Sequence, residues 1–178
     1  STDVTGVECA VAMKNAYAGH LKYSFQLRPH TVADQAYIGA YQGIGVGYFN
    51  FGNPEELGNP LAVYLFQGGR IAQFSPRISL NYEWNFGASF GWKPYDEYDN
   101  PENQIIGSKV NAYLNVNLYL KWALSPKFDL MIGTTGSHFS NGNTQYPNSG
   151  LNTVDCKVGL VYNFNRRADE LAQSWQRP

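Results

Sequence analysis

His138 and Ser140 stand two residues apart at the end of an alternating segment, just before a loop rich in Asn and Gly that runs to Asn152. In a β-strand, residues i and i+2 project from the same face. An imidazole and a hydroxyl side by side meet the first requirement of nucleophilic acyl transfer, a nucleophile next to a general base. A polar strand end entering a turn gives the same spacing with no chemistry attached. Which face the pair occupies separates the two readings, so the elements that carry it have to be placed first.

The clearest of those elements runs from Val110 to Leu124. Its even positions (Val110, Ala112, Leu114, Val116, Leu118, Leu120, Trp122) are apolar, and its odd positions (Asn111, Tyr113, Asn115, Asn117, Tyr119, Lys121) are polar or phenolic. Arg77 to Trp92 repeats the pattern, with Ile78, Leu80, Tyr82, Trp84 and Phe86 opposite Ser79, Asn81, Glu83 and Asn85. A period of two is a strand signal that no helix produces. Both runs greatly exceed the ~5–6 residues usual for soluble strands. Further strands are expected near 6–13, 20–28, 36–51, 60–70, 127–140 and 152–165, with the first weak and 60–70 alternating poorly. In the third, Gly39, Gly43, Gly45 and Gly47 share a face, which points to tight packing or strong curvature.

Composition narrows the class. Thirteen basic residues against fourteen acidic ones suggest no polyelectrolyte partner, so nucleic acid is not expected. Charged residues make up 15% of the chain, below the roughly 25% of soluble domains, while aromatics also reach 15%. No apolar run approaches the ~20 residues of a membrane helix. An all-β, eight-stranded antiparallel outer-membrane barrel over residues 1–165 accounts for strand length and scarce charge. It also accounts for aromatics near the ends of the apolar faces (Phe90, Trp92, Trp122, Tyr162, Phe164). Arg77, Glu83, Lys121, Lys127, Asp129, Asp155 and Lys157 would then pair inside a narrow lumen. A soluble barrel carrying an apolar ligand, with the faces reversed, is the competing architecture. Cys9 and Cys156 have no metal-ligand spacing and leave open a disulfide between the first and last strands or two unpaired thiols.

Loop lengths orient such a barrel. Ser125-Pro126 is a very short connection, whereas 93–106 and 141–150 are long, as outer loops are in outer-membrane barrels. The His138/Ser140 end then lies at the cell surface, and residues 166–178 are expected to form a short C-terminal periplasmic tail. Phe128, Leu130 and Ile132 set the apolar face of the seventh strand, and His138 and Ser140 continue it in phase. Asn152 precedes the apolar set of the eighth strand in phase as well. All three then face lipid near the outer leaflet, where polar groups are costly and call for a function.

Ser-His-Phe-Ser-Asn-Gly-Asn followed by Pro147-Asn148-Ser-Gly150-Leu-Asn152 resembles the lipid A 3-O-deacylase (PagL-type) family, whose signature is His-x-Ser-Asn followed by Pro-Asn-x-Gly. Segments around His20, Tyr41 and Tyr82 are similar to Bacteroidetes members described as acyloxyacyl hydrolases. The resemblance implies an outer-membrane esterase that hydrolyses a fatty-acyl ester of lipid A, the lipopolysaccharide anchor of the outer leaflet, with no cofactor and no metal. It implies Ser140 as nucleophile, His138 as general base, Asn141 and the Gly142 region as oxyanion donors, and Asn148 as a second polar support. The chain departs from the family at Asn152, where a glutamate is common. An amide can hold the imidazole tautomer but cannot stabilise an imidazolium by charge. A catalytically silent barrel serving as a structural or partner-binding subunit is therefore the second functional reading.

Overall fold

Strict alternation commits each strand to one apolar and one polar face, and closure into a cylinder decides which face points out. The computed structural model describes residues 2–11, 16–26, 39–103, 105–142, 146–147 and 149–164, with 2–11 and 26 described by backbone alone. The strands are β1 (Thr2–Val11), β2 (Tyr17–Gln26), β3 (Tyr41–Asn50), β4 (Gly58–Gln73), β5 (Ile78–Trp92), β6 (Val110–Ala123), β7 (Phe128–Ser140) and β8 (Leu151–Asn163). Each is antiparallel to its neighbour, and β8 pairs back onto β1 to close the barrel. The all-β antiparallel barrel expected from the alternation is therefore what the chain forms. The expected tail at 166–178 lies outside the described residues.

The barrel is apolar outside and polar inside. In β6, Leu114, Val116, Leu118, Leu120 and Trp122 are exposed, while Asn111, Tyr113, Asn115, Asn117 and Tyr119 are buried. The same holds for Leu21, Ile44, Leu65 and Phe86 on the outer wall against Lys22, Tyr64, Phe66 and Asn85 within. In water this wall would be an apolar patch far beyond the few hundred Å² that soluble monomers tolerate. It is the arrangement of a membrane barrel, opposite to that of a soluble carrier.

Two layers fill the interior. Near the end that carries the long loops, Phe139 packs with ring centroids 5.0 Å from Trp92 and 5.1 Å from both Phe49 and Tyr113. Deeper in the lumen, Glu83 binds Lys22, accepts from the Tyr41 hydroxyl at 3.0 Å and lies 3.9 Å from Lys157. The glycine face of β3 makes room for the aromatic layer. A β-carbon on Gly45 would fall 2.4 Å from the Tyr64 ring, and one on Gly43 would fall 2.7 Å from the Phe66 ring.

Several sequence expectations need correction. Trp92 does not join an interfacial girdle. Gly91 takes φ +88°, the strand breaks phase, and Trp92 turns inward to donate to Ser89 Oγ at 2.8 Å. Arg77 and Lys127 are not lumenal, because each sits exposed in a short turn just before its strand begins. The third strand is described from Tyr41, after Gly39 at φ +64°, and positions 36–38 of its expected start lie outside the described residues. The fourth runs longer than 60–70 and, at 16 residues, is the longest strand among the described residues. Its alternation was faint in the sequence because Ala62, Tyr64 and Phe66 face the aromatic layer while Leu61, Val63 and Leu65 face out, so both faces are apolar. Cys9 stands opposite Val158 in the register, and Cys156 carries a free, exposed thiol.

Candidate active site

Strand β7 pairs with β8 from Phe128 to Phe139 without a register shift, so its two-residue phase runs unbroken to the loop. Asp129, Met131, Ser137 and Phe139 are buried, which sends the alternate residues outward. His138 and Ser140 are accordingly half-buried on the outer wall, as the alternation predicted. Phe139, between them, is wholly buried in the aromatic layer and pins the strand end. The two chemical side chains thus flank an anchored residue and do not hang from a free loop.

The register brings the third polar group alongside. Asn152 is the cross-strand partner of His138, and its Oδ1 lies 2.6 Å from Nδ1 of His138. An amide oxygen only accepts, so this contact puts a proton on Nδ1, and in the neutral imidazole the lone pair then falls to Nε2. That is the tautomer a general base requires. Asn152 is exposed, and Val154, two residues on, is exposed as well, which confirms that this edge belongs to the apolar wall. On the other side, Ala112 of β6 pairs with Ser140 and Leu114 pairs with His138, so the pair is bordered by small and apolar groups.

At the end of the β7–β8 loop, Gly150 closes on the pair. Gly150 takes φ +70°, and a β-carbon on it would lie 3.1 Å from Cε1 of His138 and 3.8 Å from Cβ of Ser140. The motif alone marks Gly150, and its close approach to the pair arises only in the fold. Asn141 follows Ser140 off the strand, half-buried, and Gly142 is exposed at φ +64°. Asn148 lies outside the described residues. Asp155, the nearest acid in sequence, sits on the opposite face from Asn152 by alternation, across from Thr135. In the neighbouring β5–β6 loop, the amides of Asp99 and then Tyr98 bind the Asp96 carboxylate and hold its pKa below the usual value. Among the described residues, no group of three or more His, Cys, Asp or Glu side chains is placed to hold a metal ion.

Fold and site together define a membrane-type β-barrel with a Ser, His and Asn set on its outer wall, near one rim. The chain belongs to the lipid A 3-O-deacylase (PagL) family, whose model matches residues 6–161. Among solved structures it is similar to the outer membrane enzyme PagL, with 16% identity, a TM-score of 0.53 and coverage of 91% of this chain and 99% of that one. It is also similar to Neisserial surface protein A (10% identity, TM-score 0.59, coverage 92% and 95%). The N-terminal barrel domain of Pseudomonas aeruginosa OprF is a third such structure (9% identity, TM-score 0.56, coverage 92% and 97%). No curated protein matches the chain.

Proposed function

We propose that this protein is an outer-membrane esterase that removes a fatty-acyl chain from lipid A by a Ser/His mechanism with Asn as the third member. The observation that carries the proposal is the 2.6 Å contact between His138 and Asn152 on the apolar wall, two residues along β7 from Ser140. Family membership supplies the substrate class. The eight-stranded barrel of residues 1–165 would sit in the outer membrane with its long loops outward. Residues 166–178 would be a short periplasmic tail, and the site would face the outer leaflet, where the lipid A of lipopolysaccharide resides.

In this mechanism Ser140 Oγ attacks the ester carbonyl carbon while Nε2 of His138 takes the hydroxyl proton. The new C–O bond forms as the carbonyl electrons move onto oxygen, giving a tetrahedral oxyanion. Asn141, with backbone amides near Gly142 and a contribution from Asn148, would donate to that oxyanion. Collapse expels the sugar alkoxide, which takes the proton back from His138. Water then repeats the sequence on the acyl-Ser140 ester and releases the fatty acid. Asn152 holds the Nδ1 proton throughout, so Nε2 is always the basic nitrogen. No cofactor enters.

The second reading, a silent barrel with a structural role, draws on the missing charge at position 152. Mass spectrometry of lipid A from an outer-membrane host expressing the protein separates the two. Loss of one acyl mass from wild type and not from Ser140→Ala supports the esterase. Unchanged lipid A with a correctly inserted barrel overturns it.

A further inference from the structure

The β5–β6 loop, residues 93–109, reaches the site loop from outside the motif. Fully buried Asn103 organises it. Its Oδ1 accepts from the amides of Ile105 and Ile106 at 2.9 and 3.0 Å, and its Nδ2 donates to the carbonyls of Lys93 and Glu56 at 2.8 and 3.3 Å. Glu56 belongs to the β3–β4 loop, so one side chain ties two outer loops together. Ile106 joins the buried aromatic cluster that holds Phe139, and its carbonyl accepts from the Tyr95 amide at 2.8 Å. The residue that follows this anchor is Gly107.

Gly107 meets the site loop backbone to backbone. A β-carbon on it would lie 2.7 Å from the Pro147 carbonyl oxygen, and 2.8 and 2.9 Å from the carbonyl carbon and oxygen of Tyr146. Backbone atoms cannot rotate away as a side-chain tip can, so any β-carbon has to displace the loop. A few residues on, Gly150 of the same loop rests against His138 and Ser140. Tyr146 and Pro147 are therefore seated against a fixed bracket, and Gly150, three residues past Pro147, lies against the Ser/His pair.

We propose that Gly107 is a positioning residue for the reaction: its missing side chain seats the Tyr146–Pro147 peptide, and that seat sets where Gly150 lies against His138 and Ser140. The inference rests on the deacylase reading given above. It locates part of the active-site geometry in a loop that shares no sequence with the motif. Because Gly107 is not in the left-handed region, alanine there adds crowding without backbone strain.

The test compares wild type, Gly107→Ala and Tyr98→Ala for fatty-acid release from purified lipid A in detergent micelles, with kcat and KM normalised to heat-modifiable, folded barrel. Tyr98 lies in the same loop and is 89% exposed, so its truncation serves as a control. A misplacement of ~1 Å can lower a rate ~10²-fold, so Gly107→Ala is expected to lose roughly 10- to 100-fold in kcat. KM should change little, the folded fraction should stay at the wild-type level, and Tyr98→Ala should match wild type. A Gly107→Ala enzyme with wild-type kcat per folded barrel overturns the inference alone, as does an equal loss in Tyr98→Ala. A wild type that releases no fatty acid from lipid A overturns the deacylase reading and this inference with it.

Discussion

If Asn152 orients His138, its removal has a calculable effect on rate. The contact is one hydrogen bond of 2.6 Å, from Nδ1–H to an amide oxygen. In the resting enzyme such a bond contributes about 0.5–1.5 kcal/mol, but as proton transfer proceeds the donor becomes an imidazolium and the bond strengthens to about 1.5–3 kcal/mol. Deleting it by Asn152→Ala should raise the barrier by about that second figure, a loss of roughly 10- to 150-fold in kcat. Asn152→Asp keeps the side-chain length and replaces a dipole with a charge. At this position on the outer wall near the rim the added attraction should be about 1–2 kcal/mol, a gain of roughly 5- to 30-fold. Asn152→Glu restores the acid common in the family but adds a methylene, so it should match or exceed wild type by less. Fatty-acid release from lipid A, followed by mass spectrometry and normalised to folded barrel, reads all three. Full activity in Asn152→Ala would refute the relay, because the imidazole would then have another support.

Ser140→Ala and His138→Ala should each abolish hydrolysis without unfolding the barrel, and the double variant should be no worse, since the two act as one unit. Asn141→Ala should cost ~10²–10³-fold in kcat if its amide donates to the oxyanion; wild-type turnover in any of the three would move the chemistry elsewhere. In the lumen, Glu83 is 2% exposed, binds Lys22 and lies 3.9 Å from Lys157, so Glu83→Gln removes the buried carboxylate from this charge network. A loss of about 3–5 kcal/mol in unfolding free energy is expected from denaturant titration in liposomes, and an unchanged midpoint would show that the remaining lumenal groups suffice.

Much of this was legible because a strand's period is two and a barrel has only two sides. The even positions of Val110–Trp122 told one face from the other, and phase alone carried His138 and Ser140 to the outer wall. Three features were not legible. Trp92 shares the apolar phase of β5 until Gly91, and a positive φ leaves no mark in hydropathy. β4 is apolar on both faces, so alternation had little to show. Gly107 lies far from the motif along the chain, and its role depends on a loop-to-loop contact that periodicity does not encode. The Asn103-x-Ile-Ile-Gly107 run carried a local signal, an Asn whose side chain caps the amides two and three residues on. Nothing in that signal said which neighbour it would meet.

On the proposed deacylase reading, a packed lumen and an apolar wall put the chemistry on the outside of the barrel, and that placement bears on the choice of Asn at 152. Aromatic rings and a buried charge network fill the interior, so a lipid substrate has to reach Ser140 laterally, through the leaflet. A carboxylate on the wall would stabilise the imidazolium, yet in every resting moment it would sit beside exposed Val154 at the edge of hydrocarbon. Near the interface a charge costs about 0–1 kcal/mol, and a neutral amide costs less. Asn152→Asp should therefore speed hydrolysis while lowering barrel stability by up to about 1 kcal/mol, measurable as a shift in the urea midpoint in liposomes. Such a split would mark the amide as a compromise between barrel and reaction. A variant that is more stable and no faster would contradict this. The amide would then be the group the site is built around, holding a tautomer with no call on charge.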